Sequence, residues 1–88
     1  MRGFFVMEEH LVYIMYSEKS DVFYKGYTTD LIQRFKSHNE LATKGYTLKH
    51  RPWKVVHVEF FDSEKEAKKR ETFFKSGIGR KWIRKNFG

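Results

Sequence analysis

With 88 residues and 10.7 kDa the chain has room for one small domain and at most one active site, because a second hydrophobic core would need roughly 50 residues or more of its own. A hydrophobic share of 40%, with 9 Phe, 5 Tyr and 2 Trp, supplies a core and argues against disorder, while the absence of Cys excludes disulfides, a thiolate nucleophile and a Cys-based zinc finger and is compatible with a cytoplasmic address. The net charge of +7 resides in residues 65–88, where 9 Lys and Arg meet only Glu66 and Glu71, and it points to a polyanionic partner, nucleic acid before an anionic membrane surface, unless it serves only to solvate a basic helix.

In chain order, residues 1–9 read as a frayed leader in which Met7 is a second candidate start, and their apolar run is too short for a signal peptide. Leu11-Val-Tyr-Ile-Met-Tyr16 and Phe23-Tyr-Lys-Gly-Tyr-Thr28 are β-branched and aromatic runs separated by the polar Ser17–Asp21, which predicts a hairpin. Thr29 is placed to cap a helix from about Asp30 to Asn39, in which Leu31 and Phe35 make an i,i+4 apolar pair. Residues 40–52 read as a long loop. From Trp53 to Phe61, Val56, Val58 and Phe60 alternate with His57 and Glu59, the period of a half-buried strand. Ser63 and Glu66 form a capping box for a helix reaching about Lys75, Ser76-Gly77 reads as its stop, and a last helix is predicted from about Arg80 to Asn86. The expected fold is α+β: a small three-stranded antiparallel sheet built from a hairpin, a helix, a strand and two helices, with the helices packed on it. No apolar run approaches the roughly 18 residues of a membrane span, so no membrane insertion is expected.

Within these elements a few residues carry chemistry. A hairpin register pairing Tyr16 with Phe23 puts Tyr13 opposite Gly26, with Tyr24 diagonal to Tyr13 on the same face. Two phenols then flank a glycine, and a glycine inside a strand marks a close approach by backbone or ligand, although tyrosines are also ordinary strand residues. Arg34 and His38 are spaced i,i+4 on the first helix, a phosphate fork beside a proton carrier, or simply two solvated polar residues. Glu71 falls between Ala67 and Phe74 in the apolar stripe of the next helix. It is either a surface carboxylate between Arg70 and Lys75 or a single anchor for Mg²⁺, whose octahedron water and substrate phosphate would complete. Phosphate loops, metalloprotease motifs and serine elbows are missing, and His10, His38, His50 and His57 lack zinc-ligand spacing. Trp82, among basic residues, is either a base-stacking group or a core anchor.

Taken together, the chain resembles the GIY-YIG nuclease superfamily, in particular its small stand-alone members similar to the nuclease module of bacterial excision repair. The "GIY" strand corresponds to Val12-Tyr13-Ile14, with Leu11 in place of its Gly, and the "YIG" strand to Tyr24-Lys25-Gly26, with Lys25 in place of its Ile. Arg34 with His38 matches the helix motif, and Glu71 the metal-binding Glu. Further likeness lies in Gly26-Tyr-Thr28, Arg51-Pro-Trp53 and Lys75–Ile83, so that the match spans about residues 11–83. Asn86 is the one candidate for an Asn that some relatives use after the Glu. The resemblance implies one nuclease domain that hydrolyses DNA phosphodiesters, in repair or recombination, with RNA left open as a substrate. Its implied catalytic residues are Tyr13, Tyr24, Arg34, His38 and Glu71, with Glu71 holding Mg²⁺ or Mn²⁺. Gly26, Lys68, Lys69, Arg80, Lys81 and Arg84 are the expected nucleic-acid contacts. The alternatives are a non-catalytic nucleic-acid-binding module on the same scaffold and an unrelated small RNA-binding α+β protein.

Overall fold

The computed structural model describes residues 9–41 and 45–88, so the expected leader, apart from Glu9, and the Met7 start fall outside the described residues. Three strands, β1 (His10–Ser17), β2 (Val22–Thr28) and β3 (Lys54–Phe61), form one antiparallel sheet in the order β2-β1-β3. The hairpin register is the expected one, with Tyr16 opposite Phe23 and Tyr13 opposite Gly26. The α+β class expected from the sequence is the one observed.

The apolar run of β1 has a direct structural meaning, since a central strand covered on both faces has no solvent side for polar residues. Val12 and Ile14 point to one face, where they meet Ala67, Phe74 and Ile83 of α3 (Glu64–Lys75) and α4 (Gly77–Phe87). Tyr13 and Met15 point to the other face, where Trp53, Leu31 and Phe35 enclose them. The two sides of one strand thus nucleate two cores. Tyr13 and Tyr24 belong to the second.

Several local expectations need correction. Asp30, not Thr29, caps α1 (Leu31–Lys36): its carboxylate accepts from the Gln33 amide at 3.0 Å, while the Thr28 hydroxyl accepts from the Asp30 amide at 3.0 Å. The helix does not run on to Asn39 in α geometry but widens into a π-helical turn over Ser37–Leu41. Within the expected loop a short helix, α2 (Tyr46–Lys49), follows Gly45, whose φ of 102° favours glycine. Strand β3 is not a simple half-buried strand. A register shift opposite Ile14 and Met15 breaks its alternation, so that Val56 joins the α3/α4 core while Val58 joins the opposite core.

His57 and Glu59 are not solvent-facing because they pair with Ile14 and Val12 on the face that α3 and α4 cover. His57 Nε2 and Glu59 Oε2 lie 2.8 Å apart, and Arg70 of α3 donates to Glu59 through Nε at 2.8 Å and Nη2 at 3.2 Å. Burial by itself would raise the Glu59 carboxyl, but the Arg70 and His57 hydrogen bonds prevail and hold it below the usual carboxylate range. Phe60, expected inside, is 64% exposed.

Ser76-Gly77 is a junction rather than a stop. The Ser76 hydroxyl accepts from the Gly79 amide at 3.1 Å and so caps α4, which therefore begins at Gly77 instead of near Arg80. A side chain at Gly79 would collide with the Phe73 carbonyl, so the sharp turn between α3 and α4 requires glycine there. Trp82 settles as a core residue, its ring 5.5 Å from Phe74 and 5.7 Å from His57.

Candidate active site

Strand pairing places the Tyr13 ring across the residue opposite it, and that residue is Gly26. A Cβ at position 26 would overlap the Tyr13 hydroxyl and ring, so the glycine is what lets the phenol lie flat over β2. The expected nucleic-acid contact at Gly26 is thus buried beneath Tyr13. Replacing Gly26 by Ala should force the ring aside and cost about 1–3 kcal/mol, the usual penalty of overpacking, visible as a lowered thermal midpoint. An unchanged midpoint would show that the ring has room to move.

From the other side, the π-helical turn brings His38 inward, and Tyr13 Oη shares a hydrogen bond of 3.0 Å with His38 Nε2. Both residues are buried. The widened turn is held by groups outside the expected site: Arg51 donates from Nε to the His38 carbonyl at 2.7 Å and from Nη2 to the Ser37 carbonyl at 3.4 Å. Asn39 pairs with the Trp53 backbone, accepting from its amide at 2.6 Å and donating to its carbonyl at 2.9 Å. The buried Trp53 indole donates to the Thr47 carbonyl at 2.9 Å, which ties α2 to the same frame. Arg51-Pro-Trp53 carries the family likeness in the sequence, yet its supporting role depends on hydrogen bonds that span 13–14 residues. A buried indole that needs an acceptor was the one available signal.

Electrostatics divides the two partners from ordinary behaviour in opposite directions. Burial first and then the neighbouring Tyr24 push the Tyr13 phenol well up; Arg34 pulls against them, and the Glu71 charge adds a smaller push. Burial, Arg34 and Arg51 push the His38 imidazole below its ordinary 6.5. At neutral pH the pair is therefore an uncharged phenol joined to an uncharged imidazole. Tyr24 stands beside it, 4.6 Å from the His38 ring and 6.3 Å from the Tyr13 ring, half-buried. Arg34 is exposed, with its charge felt by both Tyr13 and His38.

Glu71 comes from α3, and its side chain is only 19% exposed. Lys75 donates to its Oε2 at 3.1 Å, so the carboxylate is neither a free surface group nor fully buried. Glu71 is thus a partly enclosed carboxylate with one lysine partner. Among the described residues no three His, Asp or Glu side chains converge into a ready-made metal cage. One enclosed hard oxygen donor nevertheless fits Mg²⁺ or Mn²⁺, which commonly take one or two carboxylates together with water and substrate phosphate.

The expected nucleic-acid contacts separate into two groups. Lys68 lies 5.5 Å over the Tyr27 ring and pairs with Glu64 at 3.4 Å, and Lys69 and Lys81 are exposed. Arg80 and Arg84 instead line a cleft with Lys25. Asn86 donates to the Trp82 carbonyl at 2.8 Å on the exposed end of α4, a helix-internal use of its amide.

A tyrosine bedded on a strand glycine, a second tyrosine beside it, and an arginine, a histidine and a glutamate delivered by two helices define a nuclease-type catalytic domain. The chain belongs to the GIY-YIG family: its residues 9–83 match the model described as the GIY-YIG catalytic domain. It is 42% identical to the UPF0213 protein LMOf2365_0181 of Listeria monocytogenes over 67 residues, which are 76% of this chain and 74% of the relative. Its identity to the UPF0213 protein YazA of Bacillus subtilis is 36% over 66 residues, 75% and 66% of the two chains. The solution structure of the UPF0213 protein BH0048 from Bacillus halodurans aligns with a TM-score of 0.54 at 32% identity, covering 91% of this chain and 86% of that one.

Proposed function

We propose that the protein is a divalent-metal-dependent endonuclease that hydrolyses DNA phosphodiesters. The observation that carries this reading is the uncharged Tyr13–His38 pair, bonded at 3.0 Å over Gly26, with the Arg34 and Glu71 charges both felt at the Tyr13 phenol. A phenol pushed upward is no stand-alone base. With a neutral imidazole behind it, however, it can take the proton of the attacking water on Oη while passing its own to His38 Nε2. The relay conserves charge on the phenol and ends with an imidazolium. Tyr24 orients the water from the side, and Arg34 meets the charge that develops on the phosphoryl oxygens. Glu71 would hold Mg²⁺ or Mn²⁺, and the ion, when bound, supplies Lewis-acid stabilisation of the phosphoryl and leaving 3′ oxygens. Backbone contacts through Lys and Arg of α3 and α4 would position DNA without reading its sequence.

The direct test incubates the purified protein with supercoiled, linear, branched and single-stranded DNA, and with RNA, in Mg²⁺, Mn²⁺ or EDTA. Cleavage of DNA with either ion and none with EDTA is the expected result. Tight binding without cleavage under every condition would leave a non-catalytic binding module instead.

The pH dependence follows from the same pair. Because His38 is held below 6.5, it stays neutral as pH falls from 7 through 6.5, and the acid limb of the single-turnover rate should lie below pH 6.5. Stability has the same sign: the unfolded chain takes up the proton first, so the contribution of His38 is complete above 6.5 and is lost progressively below it. A rate still climbing toward pH 10 would point instead to a Tyr13 phenolate as the base.

A further inference from the structure

Between β2 and α4, on the sheet face opposite Tyr13 and Tyr24, lies a cleft of about 220 Å³. Phe23, Ile83 and Tyr46 form its apolar walls, and Lys25, Arg80 and Arg84 project cations into it. Arg84 is tied back to the hairpin turn: its Nη1 donates to Asp21 Oδ1 at 2.9 Å, its Nη2 to the Asp21 carbonyl at 2.7 Å, and its guanidinium lies 4.9 Å over the Phe23 ring. It is a fixed wall more than a free ligand. Lys25 and Arg80 have no carboxylate partner among the described residues.

Lys25 is the unusual member. It stands where the YIG motif carries an apolar residue, on the face that α3 and α4 cover, and it is half-buried. Burial, followed by Arg80, Lys75 and Arg84, holds its ammonium below the ordinary lysine range. A half-buried cation beside Arg80, with the Glu71-paired Lys75 and the Asp21-paired Arg84 also near, offers an entering anion a place to bind. Two contacts connect the cleft to the candidate active site. Lys75, one of the cations felt by Lys25, is the residue bonded to Glu71. Tyr46, a wall of the cleft and 51% exposed, has its ring 6.5 Å from that of Tyr24.

We infer that Lys25 and Arg80, braced by Arg84, form a phosphate subsite that takes one backbone phosphate of DNA flanking the phosphodiester presented to Glu71 and Tyr24. The position of this subsite relative to the scissile bond rests on the nuclease reading; its affinity for a backbone phosphate does not. Both cations reach the same anion, so their contributions should overlap rather than add.

The test measures DNA affinity in the Glu71→Gln background, which removes cleavage, at a series of salt concentrations. Lys36→Gln on α1 serves as a charge-matched control. Lys25→Gln, Arg80→Gln and the double variant should each weaken binding about tenfold and lower the slope of log K against log salt by about 1, the signature of one lost phosphate contact. A single neutral methylphosphonate stepped along the oligonucleotide should weaken the Glu71→Gln protein at one further position that the double variant no longer senses. Lys25→Gln should keep or raise the thermal midpoint, since it relieves repulsion.

Slopes matching the Lys36→Gln control would overturn the subsite. So would a double variant whose slope falls by about 2, because the cations would then hold separate phosphates. A midpoint lowered by more than about 5 °C in Lys25→Gln would assign that residue to the fold instead. If the wild-type chain cleaves nothing yet the slope pattern holds, the nuclease reading fails and the phosphate subsite stands.

Discussion

Replacing Glu71 by glutamine is expected to abolish metal-dependent cleavage, with a rate loss of about 10³-fold or more, the equivalent of about 4 kcal/mol of transition-state stabilisation. The side chain is 19% exposed and α3 delivers it next to Lys75, so the substitution keeps shape and packing while removing the negative charge proposed to anchor the ion. DNA affinity should hold or rise, because Lys75 loses its carboxylate partner and becomes available to phosphate. The fold should barely respond: an i,i+4 pair of this kind contributes about 0.3–0.5 kcal/mol. Wild-type cleavage in Glu71→Gln, still dependent on added metal, would remove Glu71 from the mechanism.

Tyr13→Phe should lower the cleavage rate by about 10²-fold with little change in DNA binding. The ring and its bed on Gly26 remain, while the hydroxyl that reaches His38 is lost. If the two residues pass one proton between them, His38→Ala should cost a similar factor, and the double variant little more than either single one. Fully additive losses would mean that the two side chains act separately. A stacking platform predicts the opposite pattern, in which Phe is tolerated and only Tyr13→Ala harms function, through lost binding of about 1–3 kcal/mol per base. Because Phe also leaves the buried His38 nitrogen unpaired, at about 1–3 kcal/mol, the rates should be compared well below each variant's melting range. Tyr24→Phe is expected to be milder, since Tyr24 flanks the bonded pair rather than joining it.

What the sequence displayed best was whatever is decided within a few residues or across one tight hairpin. The β-branched and aromatic runs either side of Ser17–Asp21 have one register that pairs Tyr16 with Phe23, and that register sets Tyr13 against Gly26. The capping box at Ser63 likewise starts α3 where expected, with the Glu66 amide donating to the Ser63 hydroxyl at 3.2 Å. The phase of Glu71 between Ala67 and Phe74 follows from helical periodicity once that start is known, and both neighbours are fully buried.

Local pattern misled wherever a distant group outbid a near one. His38 turns inward because Arg51 and Trp53, far along the chain, hold the backbone in a π-helical turn that no i,i+4 count contains. The alternation of β3 was a true pattern with the wrong faces, because a register shift against β1 redistributes Val56 and Val58 between two cores. The cleft charge on Lys25 was equally out of reach, since it arises only when α4 packs beside β2 and brings Arg80 and Arg84 to a residue more than fifty positions earlier.

By itself, then, the chain order determined the strands, the hairpin register, the antiparallel α+β class and the identities of the tyrosine, arginine, histidine and glutamate side chains. Only the tertiary structure decided the electrical state of Tyr13 and His38. A phenol or an ammonium has its ordinary affinity for protons in an extended chain, and it departs from that affinity when packing strips its water and fixes the charges around it. For Tyr13, His38 and Lys25 those surroundings come from three different helices and the Arg51 loop, brought together by folding alone.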